Sequence, residues 1–226
     1  MEHPLTQHAF EEALVRQCAP TFAGIKPANL FNYVGVFART ARNPEPAEAL
    51  ERRREALLGI VRECNERLAD AGVRVEVLVW RACGALVYAY RPRALDAYLQ
   101  DRHVARALRA HGYDPRDTGV CIEMLGRKLT ACSCGSELPH EVGLLLGYPV
   151  EDVMGFIEHG GRDYICFGCW KVYANPRRAL KSFSQIRRCT RRLCALHAQG
   201  TPIGLLAAGP QRVATLRTAG NTAEAA

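Results

Sequence analysis

Cys132-Ser-Cys134 and Cys166-Phe-Gly-Cys169 are the closest-spaced thiols in a chain that carries ten cysteines. Four thiolates can hold zinc or iron in a tetrahedral site, but the usual pattern is two C-x-x-C knuckles, and one spacing here is shorter. Cys166 and Cys169 also fall in a strand-like run. Residues three apart on a strand face opposite sides, so they can share a ligand only if Phe167-Gly168 turns. The other reading of these cysteines is packing, because a free thiol is a small buried hydrophobe.

A second constellation is Pro139-His140-Glu141, at the start of a helix expected over Pro139–Leu146. Proline suits a first helical turn, and Glu141 complements the positive end of the helix dipole. An imidazole placed there can serve as base or metal ligand, with Glu141 orienting it. Its rival role is to cap or pack the helix start. A zinc-protease helix is rejected, since position i+4 from His140 is Leu144 and the second histidine is missing. Glu151 and Asp152 fall in the first turn of the next expected helix, Pro149–Glu158, and read as structural.

The elements that would position these groups follow from periodicity. Helices are expected over Phe10–Gln17 and over Ile25–Phe37, where Pro27 would occupy the first turn. Asn43–Pro46 is a break. A long helix spans Ala47–Ala71, with Leu50, Leu57, Ile60, Val61, Cys64 and Leu68 at spacings of three and four and Gly72 to cap it. Val73, Val75, Val77 and Val79 then alternate, and Ala85–Tyr90 follows Cys83-Gly84, which reads as a β-hairpin. Helices are expected again over Ala94–Ala110 and Thr118–Ala131. Asp163–Asn175, rich in aromatic and β-favouring residues, reads as a strand or a strand pair around Gly168. Pro176–Gln199 reads as a helix that turns Leu180, Phe183, Ile186, Leu193 and Leu196 inward. The expected class is α+β: a small antiparallel sheet, made of the hairpin about 73–90 and strand(s) about 163–175, covered by several helices. Residues 1–207 form one globular domain in this reading, and 208–226 form a disordered tail.

Composition excludes several functions. The first residues lack the apolar stretch of a secretory signal, and no run of 18 apolar residues occurs, so a cytoplasmic protein without a membrane span is expected. Reduced thiols fit that setting. No glycine-rich loop follows a strand, which argues against Rossmann and P-loop enzymes. The net charge of +7 is local: Arg177, Arg178, Lys181, Arg187, Arg188, Arg191 and Arg192 lie together with no acid among them. Such a stripe can meet nucleic-acid phosphates, but Phe183 falls on the inward face and no stacking aromatics interleave the charges. A solvated face is the better reading.

Four runs carry a resemblance: CAPTFAGIKPANLF from Cys18, LVYAYRP from Leu86, PHEVGLLLGYPVEDVMGFIEHGG from Pro139 and GCWKVYANP from Gly168. In this order they resemble the successive motifs of a bacterial domain-of-unknown-function family, DUF3793, over nearly the whole chain to about Gly204. Members come mostly from anaerobic bacteria and carry no established activity. The resemblance implies counterparts for Cys18, His140-Glu141, Cys166, the Trp170–Tyr173 run and Cys189. Tyrosine is usual in the family where this chain has Cys169, which counts against a shared C-x-x-C metal site. If the family has a polar site, the matching residues make it Cys18, Lys26, His140, Glu141, Cys166, Lys171 and Cys189.

The resulting expectation is a small-molecule or anionic-ligand site near Cys18, His140 and Cys166. His140, Glu141 and Cys18 are its candidate catalytic groups, and Lys26, Lys171 and Tyr173 its ligand-binding groups. The alternatives are a metal-binding or redox accessory protein, with Cys166 and Cys189 in an iron or zinc thiolate site, and a nucleic-acid-binding regulator using the basic helix 177–192. Whether the protein is an enzyme, and which cofactor it would use, are left open by the residues.

Overall fold

A computed structural model describes residues 5–34, 46–81, 84–132 and 139–208. The expected break at Asn43–Pro46, all but its last residue, lies outside them, as do Cys83, Cys134 and the tail from 209.

Thr6 opens the first helix, α1 (Gln7–Phe22), by accepting the Ala9 N–H on its hydroxyl, and Phe10, Leu14, Cys18 and Phe22 bury one face. The helix expected over Ile25–Phe37 is not formed. Ala28–Tyr33 is a strand, β1, paired residue for residue with Tyr90–Ala85. Pro27, read as a helix start, instead offers its carbonyl to the Arg91 N–H at 2.9 Å. Long-range pairing outweighs a weak local helical preference in a segment with asparagines at 29 and 32.

The middle of the chain follows expectation more closely. The helix α2 (Ala47–Leu68) runs into a single 3-10 turn, Ala69–Ala71, and Gly72 caps it in the left-handed conformation at φ 65°. The hairpin strands β2 (Arg74–Arg81) and β3 (Gly84–Tyr90) pair antiparallel, with a register shift between Val77 and Val79. The helix expected over Ala94–Ala110 is two: α3 (Pro92–Leu99) and α4 (Arg102–Ala110). Asp101 divides them because its carboxylate accepts the N–H groups of His103 and Val104, starting a new helix. Then come α5 (Thr118–Cys132), the single turn α6 (Val142–Leu145), α7 (Val150–Glu158), the strand pair β4 (Cys166–Phe167) and β5 (Lys171–Val172), α8 (Pro176–Ala198) and α9 (Ile203–Ala207).

The fold is α+β. Its sheet has the order β1-β3-β2, while β4 and β5 form a hairpin of their own that turns at Gly168. Every residue of β3 is buried. Alternation sends Ala85, Val87 and Ala89 into a core with α1, α2 and α9, and sends Leu86, Tyr88 and Tyr90 into a second core with α3 to α7. Just past β3, Arg91 donates to the carbonyls of Thr21, Phe22, Ala71 and Ala207, tying the ends of α1, the 3-10 turn and α9 together. No helix among the described residues is long and apolar enough to cross a membrane.

Candidate functional site

The β4–β5 hairpin has two-residue strands and depends on its neighbours for its place. On one side, Trp170 sets its ring edge to face against Phe183 of α8 at 4.5 Å, and Val172 and Ala179 complete a small core. Gly168 is required there, because a Cβ at that position would stand 2.4 Å from the Phe183 ring. On the other side, the buried carboxylate of Asp152 in α7 accepts the Trp170 indole N–H at 2.8 Å and the backbone N–H groups of Tyr173 and Ala174 at 2.8 and 3.1 Å. An acid legible as a helix-start charge is thus also the clasp that holds the hairpin.

Between the hairpin, α7 and the turn at His140 lies a cleft of about 480 Å³. Tyr148, Phe156, Tyr164, Phe167 and Trp170 bring five aromatic rings to its wall. His140 packs edge to face on Phe156 at 4.9 Å. Lys171 donates to the Gly161 carbonyl at 2.6 Å, and its ammonium lies 4.8 Å from the Tyr164 ring centre and 5.5 Å from that of Phe156. Tyr148 leans on Trp170 at 5.1 Å. The arrangement is a largely apolar slot with an imidazole and an ammonium on its lining.

The predicted site residues distribute unevenly around this slot. His140 and Lys171 line it. Tyr173 packs against Gly155 and stacks with His159 at 5.5 Å, beside the slot without lining it. Glu141 does not orient His140: it turns to the Lys128 ammonium at 2.6 Å and the Tyr113 hydroxyl at 3.4 Å. Burial pushes its carboxyl up, but the hydrogen bond and charge of Lys128 outweigh this and hold it below the usual range. Consecutive residues in a turn point apart, so adjacency in sequence carried no information about shared function.

The thiols lie elsewhere. Cys18 has no exposed surface, and burial drives its thiol far above the ordinary range despite the nearby Lys26 charge, so it is held as a neutral thiol. Cys166 packs against the small core under the hairpin, and Cys189 donates to the Ala19 carbonyl at 3.5 Å. Among the described residues no three His, Cys, Asp or Glu side chains converge as a metal site. Lys26 is buried beside Tyr148, with its ammonium 4.4 Å from that ring centre. In α8, Phe183 is fully buried while the cations of its outer face are solvated.

Glu141→Gln separates the anchoring role from a catalytic one. Removing the charge leaves the Lys128 ammonium without its counter-ion and is expected to cost about 2 kcal/mol of stability at neutral pH, measured by denaturant unfolding. The wild-type carboxyl is held down, so its contribution is present above the ordinary carboxylate range and lost as pH falls through its folded value. The gap between the two proteins should therefore close in acid.

A family model described as "Protein of unknown function (DUF3793)" matches residues 14–207. No curated protein and no solved structure matches the chain.

Proposed function

The chain belongs to the DUF3793 family, and we propose that it binds a small, flat, apolar molecule bearing an anionic group in the cleft between the His140 turn, α7 and the β4–β5 hairpin. The observation that carries this reading is the slot itself: about 480 Å³, walled by aromatic rings, with Lys171 on its lining. That volume lies in the range of small-molecule sites, which are apolar enclosures with a few placed polar groups. The rings of Phe156 and Trp170 offer flat area to a planar ligand. Lys171 spends one donor on Gly161 and keeps two for an anion. The Asp152 charge, also on the lining, is already met by three donors and opposes an anion little. His140 adds a donor or acceptor at the opening turn. Binding is what this geometry supports, with neither Cys18 nor Cys166 on the lining.

Anilinonaphthalene sulfonate, a planar aromatic anion, is a suitable probe. Saturable binding at one site per chain is expected, with energy transfer from Trp170. Lys171→Gln should weaken it about tenfold, the loss of one charge-assisted hydrogen bond, and Phe156→Ala should weaken it further. Affinity unchanged in both variants, with the fold intact by circular dichroism, would refute the assignment.

A further inference from the structure

Lys26 is not among the residues lining the cleft, although it rests on Tyr148, which is. It is only 8% exposed. Among the described residues its amine makes no hydrogen bond and no ion pair, and it rests on the face of Tyr148. Cys18 of α1 and Cys169 at the hairpin turn are its titratable neighbours, and Arg187 of α8 stands beside Cys169. Pro27 next to it is pressed against Gly147, where a Cβ would meet the proline ring at 2.4 Å, so the segment carrying Lys26 is locked to the turn that presents Tyr148. The amine is not sealed in, since it keeps some exposure and Cys169 beside it is exposed.

An ammonium on a largely buried lysine, with no protein acceptor among the described residues, loses much of its hydration, and the cost is relieved either by a partner or by giving up the proton. The face of Tyr148 compensates in part. Arginine cannot take the second route, because its guanidinium does not deprotonate in proteins. In a chain that uses arginine for 26 of its 30 cations, lysine stands at this position. Burial lowers the amine to about 8, so a useful fraction is neutral near physiological pH.

We propose that Lys26 is a covalent attachment site for small aldehydes, which it captures as a Schiff base where it rests on Tyr148 beside the exposed Cys169. The ammonium first gives its proton to solvent. The nitrogen lone pair then attacks the carbonyl carbon, the carbonyl oxygen takes up a proton, and the carbinolamine expels that oxygen as water as the nitrogen loses its second hydrogen. One C–N double bond replaces one C–O double bond, and no oxidant or reductant takes part. The aromatic face that carries the ammonium serves equally for a protonated imine.

The chain has four lysines, Lys26, Lys128, Lys171 and Lys181, which makes the assignment readable by peptide mass. The folded protein is treated with propionaldehyde and cyanoborohydride at pH 7.5, and the rate of propylation at each lysine is followed. Lys26 should be alkylated about tenfold faster than the solvated Lys181, with a rate that rises as pH passes through about 8 and then levels. In urea the preference should vanish. Lys26→Arg keeps a cation over Tyr148 and should fold while losing the fast site. A rate at Lys26 equal to or below that at Lys181 in the folded protein would overturn the proposal, whatever the outcome of sulfonate binding in the cleft.

Discussion

Replacing Arg91 with alanine will cost roughly 3–5 kcal/mol of folding stability, because four carbonyl oxygens lose a charged donor in one step. The guanidinium reaches Thr21 and Phe22 at the end of α1, Ala71 in the 3-10 turn and Ala207 in α9. Carbonyls at helix ends have no partner within their own helix and must find one elsewhere. Arg91 supplies it for three elements that are distant in sequence. Lysine should rescue little of the loss, since its ammonium lacks the planar fork that spreads donors over four acceptors. Denaturant midpoints for Arg91→Ala and Arg91→Lys test this. A loss below about 1 kcal/mol in the alanine variant would show that water replaces the guanidinium without penalty.

Asp152→Ala will act on the hairpin more than on the body of the protein. The indole N–H of Trp170 and the backbone N–H groups of Tyr173 and Ala174 lose a common acceptor, at a cost of about 3 kcal/mol. What then holds the short strands β4 and β5 against α7 is Lys171 on the Gly161 carbonyl and Tyr173 against Gly155 and His159, so one wall of the cleft should loosen. Trp170 emission should shift to the red, and sulfonate binding should be lost, while far-ultraviolet circular dichroism stays that of the wild type. Retention of tight sulfonate binding by this variant would mean that Phe183, Tyr148 and the Lys171–Gly161 bond hold the hairpin without the Asp152 carboxylate.

How far the sequence reveals this architecture depends on the reach of each contact. The alternation of Val73, Val75 and Val77, the spacing of Leu57, Val61, Cys64 and Leu68, and Gly72 at the end of α2 are local signals, and the structure follows them, while the register shift after Val77 turns Val79 to the opposite core. The strand β1 is different. Its partner is Ala85–Tyr90, far along the chain, and nothing within Ala28–Tyr33 alternates strongly enough to announce a strand. Pro27 misled for the same reason: its ring serves the distant Gly147, not a helix start. The single helix expected over Ala94–Ala110 divides because the Asp101 carboxylate caps a second one.

The candidate site shows the same division. His140 is identifiable by residue type and Lys171 through the family resemblance, and both line the cleft. The aromatic wall was present as a dense run of rings between Tyr148 and Trp170, but only folding shows that the rings converge. Asp152 was readable as an acid at a helix start, whereas its bonds to Trp170, Tyr173 and Ala174 are tertiary. Cys18 stands out through its motif, and burial holds it as a neutral thiol.

The order β1-β3-β2 has a consequence for birth on the ribosome. The central strand is the last of the three to be synthesised, so both flanking strands emerge before their shared partner exists. Until Gly84–Tyr90 leaves the exit tunnel, the nascent chain presents unmated strand edges, the surfaces on which chains stick to one another. Translation through Val34–Arg81 is thus the interval in which a holding chaperone matters most, and stalling just before Gly84 would leave the most adhesive product.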